Sequence, residues 1–414
     1  MLPLTAGGKF QVGCVDIMTR RTAKGQVEPL YARLFYPTND PEQDQLYCSS
    51  NESMIPWIPR QEYLEGLARF IKRSGWLLRA VRAAIIGNRT VPAVWQGNLL
   101  DSTVNSHLPV IVYSHGLGSA RWLQSVFCCS MASRGFVVIA IEHGDRSAHW
   151  TYRETEEQMA DGTVNVIEKP ITYRQLQFGE KEFKLRNPQV HQRASECMAG
   201  LHFLEMLNAI DIGCSDHFES QFGRISIGSD FNFKQFMNRL DLSQPCIAGH
   251  SFGGSTSIVA TAKFASDFKS CVVLDGWMMP IEWDLYPAAG KAGVPVLFLN
   301  AGQFQWSDNV QRMYKMYGER IGKDVHLFTL PGVAHQDYTD LPHVLPQWLA
   351  RKTKIIGVVD STTCDRLTCD FVQAIATNPQ NVSHHFRTLM KKYGSVIING
   401  TDLPLENSES KSAL

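Results

Sequence analysis

The chain has 414 residues, of which 44% are apolar and 19% are charged, and 40 basic side chains balance 40 acidic ones. These values are ordinary for a globular protein, and the zero formal net charge gives no support for a nucleic-acid partner. No apolar run is long enough for a membrane-spanning helix. We expect a single domain over residues 1–402 and a frayed polar tail at 403–414.

Apolar runs of strand length recur along the chain and alternate with helical patterns. The strands are predicted at residues 10–17, 29–36, 109–113, 136–141, 244–248, 271–274, 295–299 and 325–330. Residues 61–87 predict one helix or a broken pair of helices, and further helical patterns lie at residues 120–133, 188–210, 232–240, 258–265 and 307–320. This alternation predicts an α/β fold in which helices cover both faces of a mostly parallel sheet, with residues 211–243 as an irregular insertion.

A segment of the form G-x-S-x-G follows the strand predicted at 244–248. It reads Gly249-His250-Ser251-Phe252-Gly253, and small residues and then a helical pattern come after it. In α/β-hydrolases this motif is the nucleophile elbow, where a sharp turn between strand and helix lifts a serine hydroxyl above the sheet. The context therefore predicts an α/β-hydrolase fold with Ser251 as its nucleophile.

An elbow serine needs an acid and a histidine base, which follow it along the chain in that order. His335 lies on a loop five residues after the last predicted parallel strand, and this placement predicts it as the base. Two aspartates are candidates for the acid: Asp275, at the carboxyl end of the strand 271–274, and Asp308, after the next strand. Chain order and strand-end placement favour Asp275, and Asp308 stays open as the alternative.

The oxyanion formed in acyl transfer is stabilised by two backbone N–H groups. In this fold one belongs to the residue after the nucleophile, here Phe252, and the other to a loop after an early strand. The loop His115-Gly116-Leu117-Gly118 follows the strand at 109–113 and predicts Leu117 as the second donor. The sequence contains no cluster of metal-ligand residues and no dinucleotide fingerprint, so we expect neither a metal nor a cofactor.

Taken together, these segments resemble the platelet-activating factor acetylhydrolase family, the calcium-independent group VII phospholipases A2. The resemblance rests on Leu34–Pro37, Pro56–Pro59, Tyr113–Gly118, Glu142–Ser147, Gly249–Gly254, Asp275–Met278 and His335–Asp337. It implies Ser251 as nucleophile, Asp275 as acid and His335 as base. It also implies a serine esterase that removes an acetyl or a short, oxidised acyl chain from the sn-2 position of a phospholipid. A carboxylesterase of the same fold that acts on soluble esters is the alternative function.

The implied substrate needs a tight acyl pocket. Trp277 and Gln336 are candidates for its lining, although Trp277 suits a core position equally well. Ten scattered cysteines outline neither a zinc site nor a disulfide framework, and we expect Cys364 and Cys369 to remain reduced.

A phospholipid substrate also implies peripheral contact with a membrane or a lipoprotein surface. Residues 61–87 carry an apolar arc that includes Leu67, Ile71 and Leu78, opposite a basic arc. This pattern suits an interfacial helix and suits equally a helix that packs on its own sheet. Residues 341–348, just after the predicted base, are a second candidate for lipid contact.

The location of the protein is predicted from its first residues. They lack the basic and apolar regions of a signal peptide, and Leu2 does not suit N-myristoylation. We therefore expect a cytoplasmic protein. Secretion stays open as the alternative, and in that case the glycosylation sequons would matter; they lie at Asn51, Asn88, Asn381 and Asn399.

Overall fold

The fold is built around a large twisted sheet. The protein is seen here in a computed structural model that describes residues 1–20, 29–38, 55–158, 164–212 and 216–405. Within these ranges an eleven-stranded sheet runs in the order β13-β12-β11-β10-β9-β4-β5-β2-β1-β3, and β8 pairs with β1. A separate two-stranded sheet consists of β6 and β7.

The strands have these bounds: β1 Gln11–Arg20, β2 Tyr31–Thr38, β3 Val94–Trp95, β4 Leu108–Ser114, β5 Val137–Ile141, β6 Trp150–Gln158, β7 Val164–Thr172, β8 Arg224–Ile227, β9 Leu240–His250, β10 Ser270–Leu274, β11 Val296–Ala301, β12 Val325–Leu330 and β13 Ile398–Asn399. The helices are α1 Gln61–Phe70, α2 Gly75–Val81, α3 Ser125–Ser133, α4 Glu182–Ala209, α5 Asp216–Phe222, α6 Phe252–Lys263, α7 Tyr286–Lys291, α8 Ser307–Tyr317, α9 Leu341–Val344, α10 Gln347–Lys352, α11 Ser361–Thr377 and α12 Val382–Tyr393.

The centre of the sheet is parallel. Val112 of β4 pairs in parallel with Ile139 of β5 on one side and with Ile247 of β9 on the other. The strands β10, β11 and β12 continue this direction, whereas β2 is antiparallel to both β1 and β5, and β13 is antiparallel to β12. The predicted mostly parallel sheet is therefore confirmed.

Helices cover both faces of this sheet, as predicted. Successive side chains of a strand point to opposite faces, so Val110 and Val112 join one hydrophobic cluster, and Ile111 and Tyr113 join the other. The first cluster includes the apolar side of α4 and residues of α6, and the second includes residues of α3 and α11. The parallel strands are thus buried on both sides, and only their ends are open to a site.

Two segments differ from their predicted structures, and a third forms one of its two predicted alternatives. The predicted helix at 232–240 is wrong, because the chain forms a short 3₁₀ turn at Phe233–Phe236 and β9 already begins at Leu240. The hairpin of β6 and β7 lies in a polar segment for which no element was predicted. The pattern at 61–87 forms the broken pair of helices, α1 and α2, and α2 continues into a π-helical turn at Arg82–Ile86.

Two further predictions concern the cysteines and the membrane. Cys364 and Cys369 are both buried on α11 as free thiols. Among the described residues, no helix combines the length and the apolar character that crossing a bilayer requires. Of the predicted frayed tail, residues 406–414 lie outside the described ranges, as does the sequon at Asn51.

Candidate active site

Ser251 occupies the sharp turn between β9 and α6. Its backbone has φ +57° and ψ −117°, a left-handed conformation that is uncommon for a residue with a Cβ. Three backbone hydrogen bonds hold the turn. The Ser251 N–H donates to the carbonyl of Leu274 at 2.9 Å, and the Ser251 carbonyl accepts from Gly254 at 2.9 Å and from Trp277 at 3.1 Å. The strained turn is therefore fixed from β10 as well as from its own helix.

Glycines around the serine allow the strand and the helix to approach closely. A Cβ on Gly249 would overlap the carbonyl oxygen of Gly253, and a Cβ on Gly253 would overlap the carbonyl oxygen of Ser114 in β4. Only glycine fits at both positions, because the obstructing atoms belong to the backbone and cannot rotate away.

Asp275 lies directly after β10, with its side chain fully buried. Its Oδ2 lies 2.6 Å from Nδ1 of His335. Its Oδ1 accepts hydrogen bonds from the backbone of Ala301 at 2.8 Å and from Nε2 of Gln305 at 2.7 Å. These hydrogen bonds hold the carboxylate in one orientation, with Oδ2 directed at the ring of His335. The other candidate, Asp308, lies in the first turn of α8 with a mostly exposed side chain and contacts Arg312 at 3.9 Å.

His335 begins a 3₁₀ turn at His335–Tyr338, and one contact fixes its ring while another fixes its backbone. It stacks on Phe304 with 3.6 Å between ring centres, and its carbonyl accepts a hydrogen bond from Nε2 of His250 at 3.0 Å. Because Nδ1 of His335 faces the carboxylate of Asp275, its Nε2 is the nitrogen left to accept a proton. Burial lowers the pKa of His250 well below its ordinary value, so this neighbouring ring is neutral.

The glycine-rich loop after β4 abuts the serine. A Cβ on Gly116 would lie 3.2 Å from the Cβ of Ser251, which places this loop directly beside the hydroxyl. The loop is tied back by the N–H of Gly118, which donates to the carbonyl of Ser147 at 2.8 Å. The two predicted oxyanion donors therefore belong to segments on either side of Ser251: Leu117 to this loop and Phe252 to the first turn of α6.

Arg193 of α4 connects these two segments, and it was not predicted from the sequence. Its guanidinium donates to the carbonyl oxygen of His115 in the loop, and its Nε donates to Oγ1 of Thr256 in α6 at 2.9 Å. It also lies over the ring of Phe252, 4.7 Å from the ring centre. The side chain is fully buried, and this burial lowers the pKa of Arg193.

Three buried polar side chains form a series of hydrogen bonds that begins at Ser114, the residue directly before the glycine-rich loop. The hydroxyl of Ser114 lies 2.9 Å from Nε2 of His143, and Nδ1 of His143 lies 2.6 Å from Oε2 of Glu196. Burial lowers the pKa of His143 well below its ordinary value. Ser114 and His143 lie in two segments that carry the family resemblance, whereas Glu196 lies within a helix of mixed polarity where no short motif marks it.

A cavity of about 620 Å³ lies next to the elbow, and we call it the tryptophan cavity because Trp277, Trp283 and Trp306 line it. Trp277 packs against Phe252 with 5.6 Å between ring centres, so one wall of the cavity touches the elbow. Gln336, the other predicted pocket residue, is half-buried and does not line this cavity.

The residues predicted to contact lipid occupy different environments. Leu78 is buried and Leu67 is half-buried, and both belong to a hydrophobic cluster that also contains Val344 of α9. Ile71 is 45% exposed, and the neighbouring Trp76 is 66% exposed. The structure therefore separates the predicted arc into a packed part and an exposed part.

Comparisons with known proteins agree with the resemblance noted in the sequence. The family model "Platelet-activating factor acetylhydrolase, isoform II" matches residues 2–389. The chain is 31% identical to a platelet-activating factor acetylhydrolase of Gallus gallus, over 97% of this chain and 90% of the relative. It is 32% identical to one of Bos taurus, over 86% of this chain and 72% of the relative.

A more distant relative and a solved structure extend the comparison. The chain is 27% identical to a putative phospholipase A2 of Schizosaccharomyces pombe, over 81% of this chain and 80% of that protein. A ferulic acid esterase from Streptomyces cinnamoneus shares the fold with a TM-score of 0.54 at 16% identity, over 95% of this chain and 97% of the esterase. From the family match and the identities together, the chain belongs to the platelet-activating factor acetylhydrolase family.

Proposed function

We propose that the protein is a calcium-independent serine esterase that hydrolyses the sn-2 acetyl or short, oxidised acyl ester of phospholipids such as platelet-activating factor. The observation that carries this proposal is the 2.6 Å contact between Asp275 and His335 at the elbow of Ser251, in a chain of this family. The names of the relatives, platelet-activating factor acetylhydrolase and putative phospholipase A2, supply the class of substrate.

In the proposed mechanism, Nε2 of His335 takes the hydroxyl proton of Ser251 while Oγ attacks the sn-2 carbonyl carbon. The carbonyl π electrons move onto oxygen, and the backbone N–H groups of Leu117 and Phe252 stabilise the resulting oxyanion. The tetrahedral intermediate collapses as His335 returns the proton to the glycerol oxygen, and the lysophospholipid leaves. A water molecule then repeats the sequence on the acyl-enzyme and releases the carboxylic acid.

Asp275 would stabilise the imidazolium of His335 and fix its tautomer. One carboxylate oxygen already accepts two hydrogen bonds, from the backbone N–H of Ala301 and from the amide of Gln305. The remaining oxygen faces only the histidine ring, so rotation of the carboxylate away from His335 would break both other hydrogen bonds. The buried position strengthens this electrostatic interaction because water is excluded.

The tryptophan cavity is the proposed site for an apolar chain of the substrate. Trp277 reaches it from the turn that also binds the Ser251 carbonyl, so a chain in this cavity lies next to the reacting ester. Gln336 is not among the residues that line this cavity.

Lipid contact is proposed for the exposed part of the region 71–77. Ile71, Trp76 and Leu77 are 45%, 66% and 38% exposed, and basic residues surround them. Bulky apolar side chains among cations are typical of a surface that enters the headgroup region of a bilayer. Trp348 of α10, 70% exposed, extends the same proposal to the second predicted region. Leu67 and Leu78 are instead proposed to support this surface from the core.

A cytoplasmic location is supported by the state of the cysteines. The eight cysteines within the described ranges are all buried free thiols. A protein that matures in an oxidising compartment often pairs some of its cysteines, whereas a reducing cytosol keeps them as thiols.

The experiment that tests the function is an assay of purified protein on monomeric phosphatidylcholines with a series of sn-2 chain lengths, with and without a chelator. We expect release of the sn-2 acid from acetyl and short chains, little release from long chains, and no effect of the chelator. Hydrolysis of p-nitrophenyl acetate without any release from phospholipids would instead identify a carboxylesterase for soluble esters.

A further inference from the structure

A second cavity, of about 300 Å³, borders the glycine-rich loop through two of its lining residues, Phe70 and His149. We call it the arginine cavity because Arg69, Arg146 and Arg174 all line it. Among the described residues that line it there is no Asp or Glu, and the remaining ones are aromatic, polar or histidine. Three guanidinium groups around one concave surface create a positive potential that attracts an anion.

Two of these arginines have no counter-ion in the described part of the chain. Arg174 is paired with Glu180 at 3.0 Å. Arg69 and Arg146 form no ion pair with any described residue. The strongest hydrogen bond of the Arg146 side chain is a long one, 3.4 Å from Nε to the carbonyl of Thr172, so its terminal nitrogens are available to a ligand.

The backbone of Arg146, a residue that lines the arginine cavity, has a strained conformation. Its φ is +68°, in the left-handed region that residues with a Cβ seldom occupy. The conformation is held because the Arg146 carbonyl accepts a hydrogen bond from the N–H of Arg174 at 2.9 Å, and the carbonyl of Asp145 accepts one from Gln189 at 2.7 Å. A strained residue that is held by its neighbours and carries an unpaired cation is typical of a ligand site.

The arginine cavity is connected to the catalytic loop by direct contacts. Phe70, which lines the cavity, fills the space that a Cβ on Gly118 would need. His149, also in the wall, lies with Nδ1 3.0 Å from the carbonyl of Gly118. Gly116 of the same loop touches Ser251, and two residues of chain span at most about 7.6 Å. The cavity therefore lies within the reach of one small molecule whose ester is at Ser251.

The arginine cavity and the tryptophan cavity are also neighbours. Tyr173 lines the first, Arg186 lines the second, and a guanidinium nitrogen of Arg186 donates to the hydroxyl of Tyr173 at 2.7 Å. The site thus has one cavity lined by tryptophans that reaches Phe252 through Trp277, and one cationic cavity that reaches Gly118 through Phe70 and His149.

We propose that the arginine cavity binds the phosphate group of the phospholipid substrate, with Arg69 and Arg146 as its ligands. This inference rests on the proposed function. In a phospholipid the phosphodiester is separated from the sn-2 ester by only a few bonds of the glycerol backbone, so one molecule can present its ester to Ser251 and its phosphate to the cavity. Guanidinium groups bind phosphate oxygens through paired, charge-assisted hydrogen bonds.

The test uses the double variant Arg69→Gln/Arg146→Gln and substrates below their aggregation concentration, so that binding to a lipid surface plays no part. The matched control is Arg82→Gln/Arg89→Gln, which removes two cations from a separate cavity lined by Trp57 and Asn88. We expect the first variant to lose about tenfold in kcat/KM on a short-chain phosphatidylcholine, through KM, because hydrogen bonds to a charged group are lost. Its activity on the matching diacylglycerol, which has no phosphate, should equal that of the unmodified protein.

Competition experiments identify the source of the phosphate. Glycerophosphocholine should inhibit the unmodified protein and the control more strongly than the Arg69/Arg146 variant, and inorganic phosphate at the same concentration should inhibit less. Equal losses on the phosphatidylcholine and the diacylglycerol, no loss at all, or stronger inhibition by inorganic phosphate would overturn the phosphate site. Failure of the unmodified protein to hydrolyse any phospholipid would instead overturn the proposed function.

Discussion

The guanidinium of Arg193 lies 4.7 Å from the ring centre of Phe252, the residue that follows the elbow serine. The same side chain donates hydrogen bonds to the carbonyl of His115 and to Thr256. A single buried cation on α4 therefore fixes the spacing between the two backbone segments that would form the oxyanion hole. Small errors in that spacing weaken oxyanion stabilisation, which depends on donors placed in advance.

Arg193→Lys should lower kcat by roughly tenfold to a hundredfold with little change in KM, because a lysine keeps the charge but cannot bind both segments. The measurement is steady-state kinetics on a soluble short-chain ester, together with thermal unfolding. The matched control is Arg33→Lys, which loses a buried guanidinium bonded to Asp16 in another part of the sheet. The control should lower the melting temperature and leave kcat of the folded protein unchanged. Equal effects of both variants on kcat would contradict the positioning role.

The choice between the two aspartates predicts opposite outcomes for two conservative variants. Asp275→Asn should lower kcat by about 10⁴, because an amide favours the wrong tautomer of His335. Asp308→Asn should change kcat little, since that side chain is exposed and contacts only Arg312 at 3.9 Å. Steady-state kinetics on one ester substrate are sufficient for the comparison, and the reverse ranking would reject Asp275 as the acid.

Exposed and buried apolar residues at the end of α1 and in α2 should respond differently to replacement by aspartate. Ile71→Asp/Trp76→Asp should weaken sedimentation with phospholipid vesicles, because each exposed apolar side chain contributes on the order of 1–2 kcal/mol when a bilayer buries it. The melting temperature and the hydrolysis of a soluble ester should stay unchanged.

Leu78→Asp is the comparison for this surface. Leu78 is packed in the cluster that contains Val344, so a charge there is buried without a partner and should lower the stability by several kcal/mol. A large fall in melting temperature for the Ile71/Trp76 variant, or vesicle binding that stays intact, would reject lipid contact by these two residues.

The pH dependence of stability can be tested at His149. Burial lowers the pKa of His149 from its ordinary 6.5 to about 4 in the folded protein. Between these values the unfolded chain binds a proton that the folded chain does not, so the contribution of His149 to stability is complete above pH 6.5 and is lost as the pH falls toward 4.

His149→Gln removes this titration and retains a donor for the carbonyl of Gly118. Relative to the variant, the unmodified protein should lose about 3 kcal/mol of unfolding free energy between pH 6.5 and pH 4. Denaturant unfolding of both proteins at several pH values measures the difference. A difference in stability that does not change over this range would show that His149 has the same pKa in the folded and the unfolded chain.

Much of the fold could be predicted because buried parallel strands have a distinctive sequence. The strands β4, β5, β10, β11 and β12 are short continuous apolar runs, which exposed strands are not. The hairpin of β6 and β7 gives no apolar strand signal because most of its residues are polar, and β7 is largely exposed.

The helix expected at 232–240 illustrates a different cause of error. Phe233 and Phe236 are three residues apart and both are buried, a spacing that an α-helix and a 3₁₀ turn share. Tertiary structure decided between them, because Leu240 pairs with Leu108 and so belongs to β9.

The residues of the site differ in whether the sequence immediately around them indicates their role. Ser251, Leu117 and His335 lie in short segments whose own residues indicate a role, so they could be identified before the fold was known. Arg193 and Glu196 lie on a long helix more than fifty residues before the elbow. Only the packing of that helix under the glycine-rich loop brings their side chains to the site, and no short motif encodes that packing.

The central claim is that Ser251 is the nucleophile of a phospholipid esterase, and an active-site label tests it most directly. The protein is treated with an organophosphate, digested, and examined by peptide mass spectrometry, and the same sample is assayed for release of the sn-2 acid from a short-chain phosphatidylcholine. The account predicts a single adduct on Ser251, loss of phospholipid hydrolysis in proportion to labelling, and a Ser251→Ala variant that is unlabelled and slower by on the order of 10³ or more. An adduct on another serine, or a Ser251→Ala variant that still hydrolyses the phospholipid at a normal rate, would contradict it.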